Sequence, residues 1–412
     1  MRKNIISIFL LVLLMTNLLP IIVRAEEEET TEEAVQTEQI VQTESETQSI
    51  QNVRKTEVVK AKITEVIKVE DVETGSMKNK TQYLKAEILE GENKGKEVET
   101  TYILSYDIDN KILAYELSKG NKVFLQINTE PDGTMTTQVQ DVERQNYIIS
   151  MIVVFFLIIL IVGRKQGLKA IIALVVTILA IYFIMIMSIY HGYNAVLMSI
   201  LTSIVIIAIT FWILSGINKK SITAALGTLG GVILAGIMAF IFGYMAKLSG
   251  VQEESIFLTL NAGHVVFNFK ELLFAGIVIS SLGATMDVGM SIASSLDEIK
   301  SKTREISWKE LFKSGMNIGG DMIGTMTNTL ILAYVGGTLN LILLFLASDA
   351  SLMTIINKEA IATDIVSALA GSMGVVFTVP TTSIIYALMN KDKTHYKVKS
   401  DNKINGKRSL KL

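Results

Sequence analysis

The chain has 412 residues, 50% of them hydrophobic, with no cysteine, three histidines and a formal net charge of −2. Its mean hydropathy is +0.44, and the apolar residues are gathered into long runs, the profile of a polytopic membrane protein. The charge balance argues against nucleic acid as a partner. Without cysteine there is no disulfide, thiol nucleophile or thiolate metal site, so no cofactor is expected and metal binding is left open.

Residues 1–25, "MRKNIISIFLLVLLMTNLLPIIVRA", place Arg2 and Lys3 before an apolar run, a helix breaker at Pro20, and small residues Val23 and Ala25 at a cleavage-like position. This predicts a signal peptide cut after Ala25, with an uncleaved N-terminal anchor as the alternative. Residues 26–56 are rich in Glu, Thr and Gln and have no aromatic residue. Such a segment cannot bury enough apolar area to offset its ordering entropy and reads as an acidic, disordered linker.

Over residues 57–145 the text changes to alternating stretches: "VVKAKITEV", "YLKAEILEG", "KEVETTYIL", "NKVFLQINTE" and "TMTTQVQDV". Turn signals at "EGENKGK", "SKGN" and "PDGT" separate them. Five or six such strands predict a small extracytoplasmic β-barrel, OB-like in size. Lacking a stripe of aromatics interleaved with lysine, it is read as a scaffold or a module for an envelope protein partner.

Apolar runs follow at about 147–163, 168–189, 194–214, 222–246, 272–295, 318–346 and 362–389, which predicts an α-helical bundle of about seven transmembrane helices over 147–390. The sixth run is long enough to tilt or to break at Gly336-Gly337. Basic clusters at Arg164, Lys165 and Lys169, at Lys219 and Lys220, from Lys300 to Lys313, and in the tail 391–412 fall on one side if the β-domain lies on the other. The positive-inside rule then puts the C-terminus in the cytoplasm of a bacterial cell and the β-domain outside its membrane.

"SSLGATMDVGMSIASSL", residues 280–296, holds Asp287 in the middle of an apolar run. An Asp at a helix centre costs about 3 kcal/mol of insertion free energy, which nearly cancels the gain from the neighbouring Leu, Ile, Val and Phe. At helical spacing Gly276, Ser280, Gly283, Asp287, Met290 and Ser294 share one narrow face, which is expected to meet other helices. The next run, "GMNIGGDMIGTMTNTLILAY", carries Asn317, Asp321, Gly324 and Asn328 on one face, with Thr325 beside them. Asp287 lies about 15 Å before Asp297 and Asp321 about 12 Å after Lys313, so both acids sit at similar depth from the cytoplasmic side.

Two carboxylates with amide and hydroxyl oxygens nearby make a hard-oxygen environment for a cation, or a dyad sharing a proton. The structural alternative is that Asp321 caps a helix and Asp287 bonds to a neighbouring one. No catalytic residues are assigned and the chain is not expected to be an enzyme: the tetrapeptide Ile318-Gly319-Gly320-Asp321 lacks the first glycine of the intramembrane aspartyl protease pattern, and no Tyr-Asp pair lies in an apolar run. Gly227, Gly231, Ala235, Ala239 and Gly243 form a smooth ridge for helix packing, and Gly283 and Gly324 are expected to pack likewise. His264, between Asn261 and Asn268, reads as an interfacial residue, and Pro380 as a kink.

The stretches "LGATMDVGMSIASSLDEI", "SGMNIGGDMIGTMTNTLILAYVGGTLNLILLF" and "VVFTVPTTSIIYAL" resemble the YibE/F family of bacterial multi-pass membrane proteins. The resemblance covers about Tyr147 to Asn390, and the β-domain ahead of it is similar in layout. It implies the fold and no particular activity. Two readings of function stand at this point. One is a transporter or permease in the lipid bilayer that couples a small ion or small-molecule substrate to Asp287 and Asp321, with Asn317, Thr325 and Asn328 as helper ligands. The other is a non-transporting scaffold whose β-domain recruits an envelope partner.

Overall fold

A computed structural model of the chain describes residues 55–74, 77–105, 115–129, 135–251, 267–303 and 305–391. The expected signal peptide, nearly all of the acidic linker, the loop with Asn261 and His264, and the tail beyond Lys391 lie outside the described residues. The described residues form two compact units that part between Ile158 and Ile159.

The first unit is a closed barrel of five strands, β1 (Lys55–Thr74), β2 (Met77–Ile88), β3 (Glu97–Ser105), β4 (Lys122–Thr129) and β5 (Met135–Val142), in the order β1-β2-β3-β5-β4. All pairs are antiparallel except β3 with β5, where Thr101 faces Gln138. Closure leaves no bare sheet edge, which is how a small barrel avoids pairing with other chains. Strand β1 serves two neighbours: Lys55–Lys62 pairs with β4, while irregularities after Ile63 and Val66 bend the rest along β2. Alternation sends Val59, Ala61, Ile63, Leu84, Ala86, Ile88, Val123, Leu125 and Ile127 inward. Gly91 turns the β2–β3 link with φ +88°, where a Cβ would also lie 2.8 Å from the Glu57 carboxylate. The core is stoppered by Leu117, a loop residue only 2% exposed. Its backbone is held by the buried Gln82 amide, which accepts from Leu117 N at 2.9 Å and donates to Leu117 O at 3.3 Å.

Among the described residues, six helices are long and apolar enough to cross a membrane. The first is α1 (Gln145–Ala180), continued by a π-helical stretch (Ile181–Ile186) and a final turn (Met187–Tyr190). Then follow α2 (Ala195–Ser215), α3 (Lys219–Met245), α4 (Phe269–Lys302), α5 (Trp308–Ala347), the short α6 (Leu352–Ile356) and α7 (Glu359–Met389). The seven expected runs become six long helices because the first two share one 46-residue element. That element breaks at Arg164 (φ 47°, ψ −125°), and Gly167 follows so closely on the Ile159 carbonyl that no side chain would fit there. Of the two alternatives for the sixth run, tilt or a break at Gly336-Gly337, the break does not occur, and α5 runs through both glycines. Start signals are polar caps: Asn194, Asn218, Asn268 and Ser307 accept from the backbone of the first turns, and Ser307 with Glu310 completes a capping box.

The seam of the bundle is α3 against α7. A Cβ at Gly227 would overlap Thr382, and one at Gly231 would overlap Thr378 and lie 2.7 Å from the Gly374 carbonyl. Two hydroxyls of α7 are satisfied along their own helix, Thr378 Oγ1 donating to Gly374 O and Ser383 Oγ to Val379 O, while the buried Thr382 hydroxyl has no partner among the described residues. Thr378 and Ser383 can therefore act as small, smooth residues. Pro380 sits inside α7, and next to it the Thr381 hydroxyl lies 2.8 Å from Phe377 O and 3.2 Å from Gly227 O of α3. One apolar cluster joins Ile206, Ile207 and Phe211 of α2, Val232 of α3 and Leu282 of α4. Another joins Val288, Ile292 and Leu296 of α4, Leu311 of α5, and Val375, Val379 and Tyr386 of α7.

Candidate functional site: a polar face on α4 and α5

Helices α2, α3 and α7 expose what a lipid-facing helix should: Leu197, Leu201 and Ile204; Ile222, Leu226, Ile233, Ile237 and Phe240; Ile365, Leu369, Phe377 and Ile384. Helix α4 does the reverse. Between Phe269 and Leu296 its exposed residues are Gly276, Ser280, Gly283 and Asp287, and every Leu, Ile and Val there is buried or half-buried. Helix α5 repeats the pattern over its first half, where the exposed residues between Ser314 and Leu330 are Asn317, Gly320, Asp321, Gly324, Thr325, Asn328 and Thr329. Beyond them the exposed surface becomes apolar, with Leu332, Val335, Leu339 and Leu343.

Packing decides where these faces point. On α5, Gly315 and Gly319 abut Ser383 and Val379 of α7; at about 100° per residue they lie about 170° round the helix from the Asn317, Asp321, Gly324 and Asn328 stripe. On α4, Thr285 would lie 3.5 Å from a Cβ placed at Gly374 of α7, and it is again about 170° from the Gly276, Ser280, Gly283 and Asp287 stripe. Both stripes therefore turn their backs on α7 and form one outward surface. The Tyr334 hydroxyl of α5 donates to Ser280 Oγ of α4 at 2.8 Å and pins the two helices together beside it.

Among the described residues the expectation that the α4 face meets other helices holds only in part: Ser280 bonds to Tyr334 of α5 and Met290 Sδ accepts from Ser215 of α2 at 3.8 Å, while the glycines of the face stand open. Among the described residues, a Cβ at Gly276, Gly283, Gly320 or Gly324 would have nothing within 4 Å. Gly283 and Gly324 thus touch no other helix among the described residues, in contrast to Gly227 and Gly231. The reason is competition between faces: the larger apolar faces and the glycine–threonine seam take the interior and leave the polar stripes outside. The structure brings Asp287, Asp321, Asn317, Asn328 and Thr325 to one surface, but it joins none of them directly. Among the described residues neither carboxylate has a hydrogen-bond or ion-pair partner, and Thr325 Oγ1 bonds back to Met322 O at 3.0 Å. Among the described residues no group of three or more His, Asp or Glu side chains gathers to hold a metal ion. Lys313, exposed and one turn before Asn317, sits at the N-terminal end of the α5 stripe.

Three polar sites escaped the sequence reading. Tyr386, 1% exposed, donates to Asp297 Oδ1 at 2.9 Å and ties α7 to the end of α4. The Glu359 carboxylate at the start of α7 accepts from Ser249 N and Oγ at 2.6 Å and from Gly250 N at 2.9 Å. Asp364 stands half-buried one turn further on. An acid inside the last apolar run was a visible signal for Asp364; the other two are long-range pairs with no local pattern.

An Asp at the centre of a spanning helix costs about 3 kcal/mol, so this surface is not one that hydrocarbon should cover. Residues 151–392 match the family model described as YibE/F-like protein, and residues 49–142 match the one described as YibE/F family N-terminal domain. No curated protein and no solved structure matches the chain. A barrel ahead of long apolar helices, matched by both models over most of its length, makes this a membrane protein that belongs to the YibE/F-like family.

Proposed function

We propose that the protein is a transporter or permease of the bacterial cell membrane in which Asp287 and Asp321 bind and release a proton or a small cation. Asn317, Asn328 and Thr325 then supply neutral oxygens beside them. The observation that supports this reading is the inverted exposure of α4, whose bare residues are its small and polar ones. A helix that pays the insertion cost of a central carboxylate, and holds it unpaired at an open surface, has kept that group available to an exchangeable partner. The hydroxyls and amides nearby suit a hard, oxygen-preferring ion or a shared proton. In this arrangement the β-domain lies outside the cytoplasm and the lysine-bearing ends of α4 and α5 lie inside, as the basic clusters direct.

The deciding experiment is flux in reconstituted vesicles with Asp287→Asn. Loss of proton- or cation-dependent flux in a variant that melts like the parent is the expected result. Normal flux in a well-folded variant removes the carboxylate from the mechanism. A second reading, a scaffold that recruits an envelope protein, is favoured by the exposed apolar residues Val58, Ile67, Val69 and Ile103 on the barrel. It predicts that Asp287→Asn is tolerated while polar substitutions at those barrel positions abolish function.

A further inference from the structure

We propose that the polar face of α4 and α5 is the interface with a second copy of this chain, related by a two-fold axis along the membrane normal. The proposal stands on packing and does not require flux.

Three observations point to a second copy. First, the bundle seats its interior glycines on neighbours: Gly227 and Gly231 on α7, Gly289 on Thr228, Gly315 on Ser383 and Gly319 on Val379. Gly276, Gly283, Gly320 and Gly324 are equally placed for close helix approach, and all four are open on this one face. Second, the face changes character with depth. It is polar from Asn317 to Thr329 and apolar at Leu332, Val335, Leu339 and Leu343. A two-fold axis along the normal sets every residue against its own depth, polar on polar and apolar on apolar, so the face is its own complement. Third, it carries both halves of a hydrogen-bonding set: the carboxylates, unpaired among the described residues, accept, and the amides of Asn317 and Asn328, which have no partner among the described residues either, can donate to them across the axis. The second copy thus completes a site that one chain leaves unsatisfied.

Other occupants fit less well. Residues 252–266 enter α4 at its Phe269 end, about 27 Å along the helix from Asp287. The N-terminal apolar run offers a carboxylate a single donor over Ile5–Leu14, the Ser7 hydroxyl, against the two amides that Asn317 and Asn328 of a second copy bring.

The chain has no native cysteine, so single cysteines report cleanly on this geometry. Gly283→Cys, Gly320→Cys and Gly324→Cys are each introduced into the full chain in native membranes, with Ile237→Cys on the apolar surface of α3 as control. The expected result is an oxidant-dependent dimer from at least one glycine position and none from Ile237→Cys. Gly324→Leu, which has room within its own chain, should leave the monomer's melting temperature in place while weakening the dimer about tenfold or more by native mass spectrometry from lipid nanodiscs. The proposal is overturned if the parent chain is monomeric in nanodiscs, or if the glycine-position cysteines react with a permeant thiol reagent yet give no homodimer. Cross-linking to a different protein, or to a cysteine placed at Asn261 of the same chain, overturns it in favour of that occupant.

Discussion

The hydroxyl of Tyr334 donates to Ser280 Oγ at 2.8 Å, a direct polar tie between α5 and the exposed stripe of α4 that belongs to the stripe itself. Its position matters because α5 has few anchors beyond its first turns, with Leu311, Gly315 and Gly319 as its buried residues. Tyr334→Phe keeps the ring and removes only this bond. Polar pairs between membrane helices contribute about 0.6 kcal/mol on average, so a fall of a degree or two in melting temperature is expected. The more sensitive measurement is hydrogen exchange in the second half of α5, which should rise. Unchanged exchange would show that packing alone holds the helix.

Gly227 and Gly231 separate the seam from the open face. A methyl at Gly231 has nowhere to go, because Thr378 and the Gly374 carbonyl already occupy its space. Overpacking of this kind costs about 1–3 kcal/mol or more where backbone must shift. Gly231→Ala should therefore lower thermal stability markedly, while Gly276→Ala, with nothing within 4 Å, should be neutral or slightly stabilising in the isolated chain. Equal melting temperatures would contradict the packing of α3 on α7.

In the barrel, Gln82 is the polar residue with the most to lose. It is 3% exposed and makes both of its bonds to the Leu117 backbone. Gln82→Ala leaves a buried N–H and C=O unpaired, a loss of about 1–3 kcal/mol for each group not rescued by water. Amide exchange at Leu117 and in β4 should accelerate in the full chain, while the helices remain unaffected. Protection unchanged at Leu117 would show that its side chain alone stoppers the barrel.

Much of this was legible beforehand. The five strands match the five alternating stretches, and the turn at "EGENKGK" holds its glycines at positive φ. The helix starts follow Asn194, Asn218, Asn268 and Ser307, whose side chains have no better backbone partners. Helical spacing put Gly276, Ser280, Gly283, Asp287, Met290 and Ser294 on one face, of which the first four are exposed and the last two half-buried. It could not say which way that face turns, because periodicity sets angles within a helix, and the direction depends on which partner helices have the smoother surface. Here Gly231, Thr378 and Gly374 make that choice from other parts of the chain. The break at Arg164 was invisible for a related reason: two apolar runs joined by a basic segment look alike whether the helix stops between them or only bends.

Orientation is tested by the basic clusters. A reporter active only in the cytoplasm should be active when fused after Lys313 or Asn390 and silent after Glu143. The reverse pattern would overturn both the placement of the barrel outside the cytoplasm and the depth assigned to Asp287 and Asp321.

The last prediction asks whether the two acids are one site or two. Asp287 and Asp321 lie on the same outward surface and, counted from Asp297 and Lys313, at about the same depth, roughly 12–15 Å in. If they share one proton or one ion, removing either empties the site, and the double variant Asp287→Asn with Asp321→Asn transports no worse than the poorer single variant. If they are independent steps, the losses multiply and the logarithms of the rates add. The measurement is initial flux in vesicles for the four members of the cycle, each beside its melting temperature. The amide keeps the shape of the carboxylate and removes an insertion penalty of about 3 kcal/mol, so each variant should melt at or above the parent. Non-additive flux at undiminished stability assigns the pair to one titrating unit. Additive losses would separate them, and a matching fall in stability would return both residues to a purely structural role.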